Sequence, residues 1–131
     1  MTRDDVLTYI DHFNNRRYEA FAAYYHPDVE VDYGYTKVRG PQGIIDFYKD
    51  FHQDFTEHLD VGVLLVDDKN VCGEYITEFK CIRPSSKLIS AGPMKAGDVV
   101  ISTNFCLYDI RDGKFANIRI GRYRSERRPA A

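Results

Sequence analysis

Apolar residues near the start of the chain recur at helical spacing: Val6, Leu7, Ile10 and Phe13 share one stripe, and Asp4, Asp5, Asp11 and Asn14 lie off it. This predicts a helix over residues 3–15. Thr2 followed by Asp5 approaches a capping box, and acidic residues in the first turn suit the helix dipole. After NNRR, the run YEAFAAYY at 18–25 predicts a second short helix with Tyr18, Phe21, Ala22 and Tyr25 on one face. His26-Pro27-Asp28 should end it, because the residue before proline is pushed out of the α region. The alternating, β-branched and aromatic run VEVDYGYT at 29–36 predicts a strand. Gly40-Pro41 then opens a third helix over 41–55, with Ile44, Phe47, Tyr48, Phe51 and Phe55 as its stripe. Four strands are expected beyond it, at 58–66, 70–83, 98–111 and 114–124, with Asp112-Gly113 as a hairpin signal between the last two. Helices followed by an antiparallel meander make the class α+β.

A length of 131 residues fits one domain, expected as a core over 4–124 and a basic tail over 125–131. The longest apolar runs, near 60–68 and 97–102, fall far short of a membrane span. Net charge is −2, which argues against a nucleic-acid partner; the cluster Arg119, Arg122, Arg124, Arg127 and Arg128 reads as a solvated basic tail, with a phosphate- or acid-binding patch as the alternative. Cys72, Cys81 and Cys106 match no zinc or redox spacing, and the charged start of the chain holds no signal-peptide segment. Reduced thiols and a cytoplasmic location are therefore expected. The unusual entry in the composition is aromatic: eight Phe, ten Tyr and no Trp. Tyr carries an apolar body and a polar tip, so this excess suggests an interface or a polar-lined cavity.

The order of elements, together with YYHPDVEVDY, RGPQGIIDFYKDF, DKNVCGEYITEF and FCLYDIRDGKFANIRIGRY, resembles the nuclear transport factor 2-like superfamily. Within it the chain is similar to the SnoaL-like polyketide cyclases and isomerases, over residues 4–124. The resemblance implies a cone-shaped α+β barrel: three N-terminal helices packed in a strongly curved, mostly antiparallel sheet around a blind apolar cavity. It is specific for the fold and weak for any one reaction, since this fold hosts many.

In such a fold, strand alternation decides which side chains point inward. The family pattern places Tyr75, Thr77, Phe79 and Cys81 inward, then Ser102, Asn104, Cys106, Tyr108 and Ile110, then Ile118, Ile120 and Arg122. A slip of one residue would invert each set. Asp32 stands within one residue of the position of the general-base aspartate in ketosteroid isomerases; Glu30 shares its face, and an exposed strand-end carboxylate is the plainer alternative. Arg39, before the third helix, would clamp an enolate or carboxylate oxygen, or else pair with Asp32 or Asp46. Tyr108 would donate to a carbonyl or developing oxyanion, with Asn104 and Tyr75 orienting the substrate. His58, beside Asp60, is the histidine singled out for proton transfer, while His12, His26 and His52 are set aside as helix-face or turn residues. Phe51, Phe55, Phe79 and Ile118 would exclude water, and Tyr18 belongs to the core or cavity roof.

Metal clusters, phosphate loops and nucleophile elbows are absent from the sequence, so neither a metal nor a cofactor is expected. The Asp-Arg-Asp set of limonene-epoxide hydrolases is also missing, with Tyr75, Thr77 and Ile120 in its place. The expectation is a cofactor-free enzyme of secondary metabolism that isomerises, cyclises or rearranges a polyketide- or terpenoid-type molecule. The alternative is a non-catalytic ligand-binding or assembly domain. Either would form a homodimer through outward Ile76, Ile82, Phe105 and Leu107, with segment 84–98 as lid, dimer arm or plain loop.

Overall fold

Thr2 caps the first helix as its sequence suggests: its hydroxyl accepts the Asp5 N–H at 3.1 Å, and the Asp5 carboxylate accepts the Thr2 N–H at 2.8 Å. The computed structural model describes residues 1–131. Helix α1 spans Arg3–Asn14 and buries Val6, Tyr9, Ile10 and Phe13, with Tyr9 in the place expected for the exposed Leu7. Helix α2 is shorter than expected, Tyr18–Ala22, and strand β1 already runs over Tyr25–Asp32. The Phe115 N–H donates to the Tyr24 carbonyl and Tyr25 lies opposite Phe115, so sheet pairing captures residues that a helical stripe also fits. Residues 33–36 turn rather than extend. Asp32 accepts the Gly34 N–H at 2.8 Å, Gly34 takes φ +88°, and the chain returns as the unanticipated strand β2, Lys37–Arg39.

Helix α3, Pro41–Phe51, ends before the expected Phe55, which instead begins β3, Phe55–Val66. Either conformation buries that ring: Phe55 stacks on Phe51 with centroids 4.7 Å apart. Strands β4 (Asn70–Cys81), β5 (Val99–Arg111) and β6 (Lys114–Arg128) follow, and Asp112-Gly113 forms the expected hairpin turn. One sheet results, in the order β2-β1-β6-β5-β4-β3, antiparallel except for β1 beside β6. No helix is long and apolar enough to cross a membrane.

The main core lies between the helices and the inner sheet face, and a smaller one, Phe51, Phe55, Phe79, Cys81, Met94 and Val100, closes the end near Met94. Residues 125–128, expected in a solvated tail, continue β6 and pair with Val99–Ser102. Arg127 explains the extension. Its guanidinium donates to the carbonyls of Ala91 and Pro93 and to the buried Asp98 carboxylate, which also accepts the backbone N–H groups of Lys95 and Ala130. The chain end is thereby tied to segment 84–98.

Gly73, on the inner face of β4, leaves room for the Tyr75 ring to fold back along the strand. A Cβ at Gly73 would lie 2.6–2.7 Å from that ring and its hydroxyl. Gly73→Ala should therefore displace Tyr75 and cost about 1–3 kcal/mol, the range for overpacked cores. Chemical denaturation measures this, and wild-type stability in the variant would contradict the packing described.

Candidate functional site

Between α1, α3 and the inner sheet face lies a cavity of about 450 Å³, walled mainly by aromatic and aliphatic side chains. Of the expected inward residues, Tyr75, Thr77, Phe79, Ser102, Asn104, Cys106, Tyr108, Ile118, Ile120 and Arg122 line it, as does Phe51; Ile110 packs against the main core and Cys81 is buried in the smaller one instead. Lys87–Ser90 border it as well, so segment 84–98 forms part of the wall. Lys87 is held there by ion pairs to Asp50 and Asp54.

Phenols satisfy one another around this space. The hydroxyls of Tyr9 and Tyr25 are 2.7 Å apart, Tyr33 donates to Tyr48 at 2.7 Å, and Tyr108 donates to Tyr75 at 2.8 Å. Pairing lets polar tips sit in an apolar wall without the cost of an unmade hydrogen bond. Because Tyr33 and Tyr108 are donors in their pairs, the hydroxyl hydrogens of Tyr48 and Tyr75 remain available. Burial pushes the Cys106 thiol up to about 12, so it is an inert wall group rather than a nucleophile.

One acid enters the cavity, and it is Glu57. Its Oε1 lies 2.9 Å from His52 Nε2, and His52 Nδ1 lies 2.8 Å from the Tyr18 hydroxyl. The His52 and Glu57 side chains are 6% and 9% exposed. Glu57 Oε2 makes no hydrogen bond, yet no enclosed side-chain oxygen lacks a partner, so Oε2 opens onto the cavity. The strand beneath is held by the end of α1. Asn14 donates to the Leu59 carbonyl at 2.9 Å and accepts the Leu59 N–H at 2.8 Å, and Arg16 donates to the Glu57 carbonyl.

Three of the expected catalytic residues lie elsewhere. Tyr25, Val29 and Val31 are the buried residues of β1, so Glu30 and Asp32, alternating with the valines, both fall on the opposite face, outside the cavity. Asp32 lines a separate polar recess with Lys37 and Arg119. The Arg39 side chain is 76% exposed and pairs with Glu30 at 2.7 Å. His58 points outward with its side chain 60% exposed and pairs with Asp60, because its neighbour Glu57 takes the inward position. Tyr18 supports His52 from outside the lining, and Phe55 is sealed in the smaller core. Only Tyr108 among the expected catalytic set faces the space. The overlooked pair, Glu57 and His52, had a signal: Phe55, Glu57, Leu59 and Val61 alternate, which puts an acid on an apolar strand face once the strand starts at Phe55.

Burial holds the phenols of Tyr25, Tyr33, Tyr48 and Tyr108 well above their ordinary range and raises Tyr9 and Tyr75 too. The folded chain thus keeps these protons more tightly than the unfolded one. The stabilisation is whole below about pH 10, where a free phenol titrates, and is lost as pH rises further. Alkaline titration, read by phenolate absorbance and far-ultraviolet circular dichroism, should show these phenols ionising together with unfolding. Independent ionisation near pH 10 with the fold intact would contradict a dry phenolic wall.

The family model of the SnoaL-like domain matches residues 6–118. No curated relative matches the chain. Among solved structures, a putative polyketide cyclase from Xanthomonas campestris pv. campestris is 21% identical with TM-score 0.76, covering 88% of this chain and 84% of that one. An LEH-like epoxide hydrolase from M. tuberculosis is 12% identical with TM-score 0.71, covering 90% and 79%. TerC, co-crystallised with polyporic acid, is 18% identical with TM-score 0.71, covering 92% and 89%. At such identities the likeness is one of fold. The match to the domain spans most of the chain, which belongs to the SnoaL-like domain family.

Proposed function

We propose that the protein is a cofactor-free acid–base enzyme that isomerises or cyclises a polyketide- or terpenoid-type molecule, with Glu57 moving the proton. The observation that carries this reading is a carboxylate supported on one oxygen by buried His52 and open on the other to a cavity of about 450 Å³. Such a volume suits a small organic ligand. TerC, a neighbour of the same fold, is co-crystallised with polyporic acid, which supports the ligand-holding part of this reading.

Glu57 Oε2 would take a proton from a carbon next to a carbonyl, and the C–H electron pair would pass to the carbonyl oxygen as an enolate. Return of that proton to another carbon completes an isomerisation. Attack of the enolate carbon on a second carbonyl closes a ring instead, and the new alkoxide takes the proton back from Glu57. Tyr75, whose hydroxyl hydrogen has no acceptor in the protein, is the donor to the enolate oxygen. The apolar wall keeps water from that oxygen and strengthens the hydrogen bond. His52 holds the Glu57 carboxylate in place and is a positioning residue.

A generic enolisable ketone such as 2-tetralone tests this in deuterated water, with α-deuteration followed by nuclear magnetic resonance. The wild type should exchange faster than buffer, and Glu57→Gln should lose about 100-fold or more, the usual weight of a general base. Exchange at the wild-type rate in the variant overturns the role of Glu57. A bound ketone that exchanges no faster than in buffer overturns the enzyme reading and leaves a ligand-binding domain.

We further propose that two copies pair through the outer sheet face, where Val63, Leu65, Phe105 and Tyr123 are exposed and the last two rings lie tilted against each other with centroids 5.4 Å apart. Leu107 and Ile76 lie half-buried nearby, while Ile82 is exposed beyond the end of β4. Light scattering should give twice the chain mass for the wild type and the single mass for Phe105→Arg. A monomeric wild type at micromolar concentration would refute the pairing.

A further inference from the structure

Arg122 is the one cation on the cavity wall that no protein group neutralises. Lys87, the other cation there, is bound to Asp50 and Asp54. The remaining arginines are engaged: all but Arg124 donate hydrogen bonds, and Arg124 lies against the Tyr123 ring on the outer face. Arg122 lines the cavity as an exposed residue and makes neither a hydrogen bond nor an ion pair.

A bulge aims it. In the β5–β6 ladder Asn104 faces Arg122 and Thr103 faces Arg124, so Tyr123 is the extra residue. Bulges of this kind re-aim side chains and recur beside functional sites. Here Tyr123 and Arg124 both turn outward, and Arg122 keeps the inward direction of Ile118 and Ile120. Asn104, directly across the ladder, also lines the cavity, and its amide makes no hydrogen bond. A planar guanidinium fork beside an idle amide, at the rim of an apolar cavity, matches a carboxylate. Cross-strand neighbours on one face lie about 5 Å apart, close enough for both to reach one carboxylate group.

We propose that Arg122 and Asn104 form a carboxylate-binding subsite, and that the natural ligand is an organic acid whose ring system lies against the phenols. This rests on the same cavity as the proposed function and adds the substrate class. Register supports the geometry. Arg122 belongs to the cross-strand row Val61, Tyr75, Asn104, while Glu57 belongs to the row of Phe79 and Val100. Three strand spacings, about 14 Å along the sheet, separate β6 from β3. The ligand's acid end is thus kept away from the Glu57 carboxylate, while its ring reaches towards it.

Binding, rather than turnover, tests the subsite. Isothermal titration calorimetry compares 2-naphthoate with 2-naphthylmethanol, the same ring with and without the charge. The wild type should prefer the acid by about tenfold or more, the scale of one charge-assisted pair. Arg122→Gln should erase that preference and leave affinity for the alcohol unchanged, which also reports an intact cavity. Glu57→Gln should retain the preference, so loss of the acid–base reading would leave this one standing. Equal wild-type affinity for both compounds, or an undiminished preference for the acid in Arg122→Gln, overturns the proposal.

Discussion

Asn14 holds the structure at its most consequential point. Strand β3 is the last in the sheet order, and its outer edge would otherwise present unpaired backbone groups. The Asn14 amide supplies the donor and the acceptor that a further strand would have given to Leu59, and Arg16 serves the carbonyl of Glu57. A helix end thereby substitutes for a strand. The consequence is geometric: two residues apart on one strand, Glu57 and Leu59 have their backbone fixed relative to α1, so the direction of the carboxylate follows from how the helix docks. His52, from the turn after α3, then fixes its far end. Two of the three helices therefore act on one side chain, through backbone in one case and an imidazole in the other.

The cavity persists because its aromatic side chains brace one another around the space. Tyr9 meets Phe115 at 4.9 Å, Phe13 meets Tyr48 at 5.0 Å and Tyr108 meets Phe115 at 4.5 Å. Such rings resist collapse into the centre better than flexible aliphatic chains would. Their hydroxyls are paired among themselves, which removes the reason for water to enter and solvate them. A dry wall in turn makes the few unpaired polar groups count for more. Glu57 Oε2 and the Tyr75 hydroxyl hydrogen sit among buried side chains, where charge is weakly screened, whereas Arg122 is exposed. Chemistry is thus confined to a handful of atoms by the same pairing that keeps the rest of the surface inert.

Legibility in the sequence tracked the regularity of the backbone. On β4, β5 and β6 from Ile118 to Arg122, period-two alternation separates two faces, and the family resemblance selects as inward the sets from Tyr75 to Phe79, Ser102 to Tyr108 and Ile118 to Arg122, which line the cavity. The fold was legible for the same reason, with the addition of the Asp112-Gly113 turn. Failures cluster where two patterns fit the same letters. Phe55 satisfies both the stripe of α3 and the inner face of β3, and assigning it to the helix hid Glu57 in a presumed junction. The resemblance to ketosteroid isomerases points Asp32 into the cavity, whereas Val29 and Val31 already claim the inner face of β1 there, which leaves Asp32 as the strand-end carboxylate of the plainer alternative. Arg127 was read as tail because its partner, Asp98, is distant in sequence and its role exists only once the chain has folded.

The division of labour within the sheet explains how this frame can host unrelated reactions. Backbone pairing, the Asn14 cap and the two cores fix where inward positions lie but place almost no demand on what stands there. Tyr75, Thr77 and Ile120 occupy lining positions, and those are the positions at which limonene-epoxide hydrolases would carry a charged hydration set. Replacing phenol, hydroxyl and alkyl groups by Arg and Asp would change the chemistry of the wall while leaving every ladder hydrogen bond in place. The likeness to an epoxide hydrolase, at a TM-score of 0.71 and 12% identity, is thus expected of the frame and carries no reaction with it. Two polar side chains of this chain stand on such inward positions: Glu57 on β3, hydrogen-bonded to His52, and Arg122 on β6, across the ladder from Asn104. Each lies on an inward position that the strand alternation provides, and His52, from the turn after α3, holds the first of them.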